Sequence, residues 1–130
     1  MASTAGGAFG FASGLIIQEF GYDDDVDETL RQAVEAETGT TLVDEDYEDV
    51  ADSAIVWWRD DDGEVDDLTE LLVDAQANLD GAGLIWVLTP KARTTGAVQA
   101  AEVEEAAATA GMHATSAASM GQHWSCLLYT

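Results

Sequence analysis

Two continuous apolar runs, Ala54 to Trp58 (AIVWW) and Leu84 to Leu88 (LIWVL), constrain this chain most. Neither has a polar face. Such runs are strands covered on both sides, as in parallel sheets, rather than strands with one wet face. A sheet buried on both faces needs helices above and below it, and the intervening segments have the matching periodicity. Leu15 to Phe20 (LIIQEF) reads as a first strand, closed by the turn residue Gly21. Asp23 to Asp27 supply N-cap and first-turn carboxylates for a helix to about Glu37, and Gly39 stops it. Thr40 to Val43 reads as a short second strand and Asp44 to Asp49 as one helical turn. Leu68, Leu71, Leu72, Ala75 and Leu79 recur at helical spacing between Asp66 and Leu79, with Gly81 to Gly83 as the stop. An Ala- and Glu-rich helix follows from about Gln99 to Ala110, ended by Gly111.

Met112 to Met120 and His123 to Tyr129 are the last two strands. The turn around Gly121 and Gln122 is too short for a parallel crossover, so these strands pair antiparallel or lie apart. The expected fold class is α/β: a Rossmann-like three-layer sandwich whose mainly parallel sheet ends in an antiparallel hairpin strand. Residues 14–130 form its single domain. Residues 1–13, MASTAGGAFGFAS, read as a flexible N-terminal segment until Phe9 or Phe11 finds a packing partner.

Charge narrows the partners. Against 4 Lys and Arg the chain sets 26 Asp and Glu, a net charge of −22, which repels phosphate backbones and anionic lipid. No nucleic acid and no membrane is therefore expected, and no run reaches the roughly 20 apolar residues of a spanning helix. The N-terminus lacks a basic n-region. A lone cysteine, Cys126, fits a reducing cytoplasm. Salt adaptation is a second reading of the acidity, in which charge reports habitat rather than partner.

Ligands of open α/β sheets lie beyond the carboxyl ends of the strands. Those ends gather Gly21 to Asp25, Arg59 to Asp62 and Thr89 to Arg93. Gly21, Asp23, Arg59, Asp60, Asp62, Lys91 and Arg93 are thus the candidate ligand- or partner-binding residues. Two readings stay open: the cations hold an anionic ligand or a partner's carboxylate, or they relieve repulsion among the neighbouring Asp runs. The first turn, Phe20-Gly21-Tyr22-Asp23-Asp24-Asp25, has one glycine where phosphate or adenosyl binding needs several, so no cofactor is expected. Setting Gly63 at the sixth position of a calcium loop puts Trp58 at the first and Thr69 at the twelfth, which fails the ligand pattern and leaves no metal site. Cys126, Ser125, His113 and His123 lack any supporting nucleophile motif, so no catalytic residue is assigned. Trp124, Cys126 and Tyr129 are candidates for modification of the C-terminal tail by a partner enzyme; the other reading makes that tail a final sheet strand.

A parallel Rossmann sheet ending in a reversed strand resembles the class I S-adenosylmethionine-dependent methyltransferases, in shortened form. Leu79-Asp80-Gly81-Ala82-Gly83 before the strand Leu84 to Leu88 looks like their entry to the fifth strand. More closely, the chain resembles an uncharacterised family of short acidic actinobacterial proteins, a domain of unknown function. The matching stretches are Gln18 to Asp23, Leu42 to Tyr47, Trp57 to Gly63, Ile85 to Lys91 and Trp124-Ser125. This resemblance implies a fold and a bacterial cytosol, but no reaction. The expectation is therefore a non-catalytic acidic protein that binds another protein. A reduced methyltransferase or nucleotide-binding enzyme is the alternative, and a recognition domain carrying a modified C-terminal peptide is a third.

Overall fold

A computed structural model describes residues 9, 11–91, 96–120 and 123–130, with the side chains of 80–82 and 116–120 outside that description. The elements run β1 (Ile17–Phe20), α1 (Glu28–Thr38), β2 (Ala51–Trp57), a 3-10 turn (Asp60–Asp62), α2 (Val65–Ala77), β3 (Leu79–Pro90), α3 (Ala100–Thr109), β4 (Ala114–Met120) and β5 (Trp124–Tyr129). The sheet order is β1-β2-β3-β5-β4. β1, β2 and β3 are parallel, and β5 is antiparallel to both β3 and β4. The two terminal strands do form an antiparallel pair, and the later one inserts between β3 and β4. That insertion makes β4 parallel to β1 to β3.

The apolar runs sit in the sheet interior. On one face Val56, Ile85, Val87 and Tyr129 pack against Leu68, Leu72 and Ala75 of α2 and Val103, Ala106 and Ala107 of α3. On the other, Ile55, Trp57 and Leu88 join Val26, and Leu30 and Val34 of α1. Phe9 and Phe11 lie in this second core. Their N–H groups donate to the Glu37 carboxylate at 2.9 Å each, and the Phe9 ring meets Trp86 edge-on at 5.4 Å.

The helices take opposite faces because the chain reverses direction after α1. Val43 pairs parallel with Gln18 on the outer side of β1, and the chain then returns past β1 to form β2. Right-handed crossovers in opposite directions put their helices on opposite faces. The expected strand Thr40 to Val43 survives as that single bridge. Asp44 to Asp49 is a series of turns, not a helical turn, held by the buried Gln18 carboxamide, which donates to the Asp44 and Tyr47 carbonyls at 3.1 Å. Gly81 to Gly83 is no helix stop: α2 ends at Ala77 with Asn78 as its C-cap, and β3 begins at Leu79. The register jumps from Ala51↔Leu79 to Ser53↔Leu84, so the extra β3 residues are absorbed as an irregularity of the ladder.

Candidate binding site at the strand ends

The reversal after α1 creates a topological switch point between β1 and β2, the place where open α/β sheets hold ligands. Arg59 occupies it. Its backbone follows β2, and the residue is 7% exposed. One guanidinium nitrogen donates to the Gly21 carbonyl at 2.7 Å, the Trp57 carbonyl at 3.3 Å and Asp62 Oδ2 at 3.3 Å. Nε donates to Asp25 Oδ2 at 3.0 Å, and Nη2 pairs with Asp25 Oδ1. The Arg59 backbone N–H also reaches Asp62 Oδ2 at 2.9 Å. The plane lies 5.4 Å from the Trp124 ring, within cation–π range. Hydrogen bonding from Arg59 holds the Asp25 carboxyl below its ordinary range, against a smaller opposing effect of burial. For Arg59 itself, burial alone would lower the pKa, but Asp25 and Asp62 outweigh it and raise it.

Gly21 closes the crevice from the other side. Its φ is +77°, and a Cβ there would lie 2.2 Å from the Trp57 carbonyl oxygen. The glycine therefore permits β1's end to press against β2, where a cofactor turn would use glycine to admit ligand. Asp23 is exposed; its carboxylate accepts from Asp24 N–H at 2.7 Å. Asp60 is exposed, and its N–H donates to the Gly96 carbonyl at 2.9 Å. Lys91 is partly buried, and its N–H binds the His123 carbonyl at 2.9 Å, tying the end of β3 to the start of β5. Arg93 lies outside the described residues. The structure thus brings Gly21, Arg59 and Asp62 together, adds Asp25, and leaves Asp23 and Asp60 on the rim.

Trp124, Cys126 and Tyr129 are all buried in β5, which pairs with strands on both sides. Of the two readings of the tail, the folded chain adopts the sheet strand. Chemistry on Cys126 would require β5 to leave the sheet. Among the described residues, no group of three or more His, Cys, Asp or Glu side chains is placed to hold a metal ion, and no helix is long and apolar enough to cross a membrane.

A second ionic centre was not singled out by the sequence reading. Glu19, 4% exposed, accepts from Arg31 Nε at 2.7 Å, Arg31 Nη2 at 2.9 Å and Trp57 Nε1 at 2.8 Å. Arg31 also meets Glu28 at 3.0 Å and the Tyr22 ring at 4.7 Å. Its pKa is raised, chiefly by the Glu19 hydrogen bonds. The available signal was a polar pair, Gln18-Glu19, inside an otherwise apolar strand: buried polar groups in such a position require partners.

A profile of the family described as protein of unknown function (DUF3052) matches residues 6–129. The chain belongs to the DUF3052 family. Uncharacterised relatives from Mycobacterium tuberculosis (H37Rv) and Mycobacterium bovis are 46% identical over 110 residues, spanning 85% of this chain and 67% of theirs. Among solved structures, this DUF3052 fold is similar to the magnesium protoporphyrin IX methyltransferase ChlM of Synechocystis with bound SAM. The TM-score is 0.57 at 8% identity, over 90% of this chain and 70% of that one. A putative methyltransferase of Thermoplasma acidophilum gives 0.56 at 10% identity, over 92% and 69%. At such identities the likeness is one of fold: the DUF3052 domain has a shortened methyltransferase-like sheet.

Proposed function

We propose that this DUF3052 protein is a non-catalytic binding module that engages another protein through the acidic rim at the carboxyl ends of β1 and β2. The position of Arg59 carries this reading. The switch-point crevice is filled by the chain's own guanidinium, bonded to Gly21, Trp57, Asp25 and Asp62. Around it Asp23, Asp24, Asp60 and Asp61 are exposed. Such a rim favours a basic surface and disfavours phosphate. Fold likeness to methyltransferases transfers no activity.

Two measurements test this. Cross-linking in native cells identifies the partner, and a variant combining Asp23→Lys, Asp60→Lys and Asp61→Lys should keep its fold and lose that cross-link. Thermal-shift titration with S-adenosylmethionine and nucleotides should leave melting unchanged. A ligand at 100 times its dissociation constant would add about 2.7 kcal/mol, and a shift of that size replaces the binding-module reading with a reduced methyltransferase.

A further inference from the structure

We propose that the outer edge of β4 takes an extended, basic segment of a partner protein as an additional strand of the sheet. The inference rests on the binding-module reading and gives it a second contact surface. The two sheet edges are finished differently. Beside β1, Val43 donates its N–H to the Ile17 carbonyl at 3.1 Å, and its own carbonyl accepts from Glu19 N–H at 2.8 Å. Gln18 and Asn78 then hold the following turns, Asn78 Nδ2 donating to Gln18 Oε1 at 3.1 Å and to the Tyr47 carbonyl at 2.7 Å. That edge is closed. At β4 the sheet order ends, and among the described residues no segment pairs beyond it.

Open edges of monomeric sheets are normally blunted by lysine, proline, a bulge or shortness. β4 is 7 residues, ATSAASM, without a charge or a proline, in a chain whose residues are 23% charged. A register irregularity between Ala114 and Ser116 disturbs only its beginning. From Ser116↔Leu128 to Met120↔Trp124 the ladder with β5 is continuous, so the backbone is laid out regularly for a further strand. Strand addition draws its affinity from main-chain hydrogen bonds.

Charge decides the occupant. A second copy would bring together two chains of net charge −22, whereas a basic segment is attracted. Because β4 runs parallel to β1 to β3, its end at Met120 lies on the same side of the sheet as the acidic rim. A strand added there leads toward that rim.

The test is hydrogen exchange on the full chain with a synthetic peptide of alternating valine and lysine, and the same peptide with glutamate for lysine as control. The basic peptide should slow exchange across β4 at least tenfold, and the acidic one should not. Alternation in an antiparallel ladder turns one of two adjacent N–H groups away from the partner strand. One of Ala117→Pro and Ala118→Pro should therefore melt like the parent chain and lose peptide-induced protection. If both variants fold and both keep the protection, the proposal is overturned. If both unfold, the protection pattern of the parent chain decides. Protection confined to the acidic rim overturns the edge site while leaving the binding module intact. Protection of β4 that grows with protein concentration in the absence of peptide assigns the edge to a second copy and overturns the basic occupant. A cofactor-induced thermal shift removes the binding-module reading itself.

Discussion

Arg59 and Glu19 divide the work of holding the β1 end. Replacing Arg59 with methionine keeps most of its length but leaves the Gly21 and Trp57 carbonyls without their donor. The expected cost is about 1–3 kcal/mol in urea unfolding, because the buried Trp57 carbonyl and the partly buried Gly21 carbonyl are left without this donor. The same variant should change the acid limb. Asp25 titrates below its ordinary 3.8 in the folded chain, so its contribution is complete above that pH and is lost as pH falls through the lowered value. Arg59→Met should flatten that part of the profile. Glu19→Gln breaks a nearly buried ion pair and should cost about 3 kcal/mol, with a changed Trp57 fluorescence as the local readout. Tyr129 behaves oppositely. Among the described residues its buried hydroxyl has no partner, and burial, reinforced by Glu104, pushes its pKa up to about 12. Because the folded value is raised above the ordinary 10.0, ionisation favours the unfolded chain, so stability is unaffected by this group below pH 10 and declines as pH climbs toward 12. Tyr129→Phe should stabilise by up to about 1 kcal/mol at neutral pH and reduce the alkaline slope.

The end of α1 was legible because its chemistry is local, and its start only to within the acidic run: Asp23 to Asp25 precede the helix, and the first-turn carboxylate is Glu28. Asp27 is the N-cap, accepting from Thr29 N–H at 2.9 Å and Leu30 N–H at 3.2 Å, and Gly39 adopts φ 73° at the C-terminus. Asp27→Ala should cost about 1 kcal/mol by thermal melting. The ends of α2 and β3 were less legible. Gly81 and Gly83 have the composition of a helix stop, yet Ala51 pairs with Leu79, and that ladder draws the segment into β3. Val43 has the opposite history: its residues favour a strand, but only one bridge forms before the chain turns back around Gln18. In both places a contact between residues distant in sequence overrode local propensity.

Across the whole molecule, a net charge of −22 opposes compaction by self-repulsion, and salt screens exposed charges. Melting temperature should rise as ionic strength increases from about 0.01 M, where the screening length is about 30 Å, to about 1 M, where it is about 3 Å. Binding of a basic partner should weaken over the same range, which separates a fold effect from a rim effect. The candidate site was legible only as a neighbourhood. Strand ends named Gly21, Arg59 and Asp62, but the sequence left open whether Arg59 faces a ligand or its own carboxylates. Asp25 and the Gly21 carbonyl settle where the guanidinium sits in the folded chain.

By itself the sequence determined that this is an α/β chain: two strands without a polar face demand cover on both sides, and the helical periods between them provide it. Local chemistry also set the α1 caps. Tertiary structure decided how those elements are joined. The insertion of β5 between β3 and β4, the single Val43 bridge, the burial of Phe9 and Phe11 and the filling of the crevice by Arg59 all depend on pairings between segments far apart in the chain. Burial of Glu19 completes the contrast. Its carboxylate tolerates the interior because Arg31 and the Trp57 indole arrive there, and only the folded arrangement supplies both.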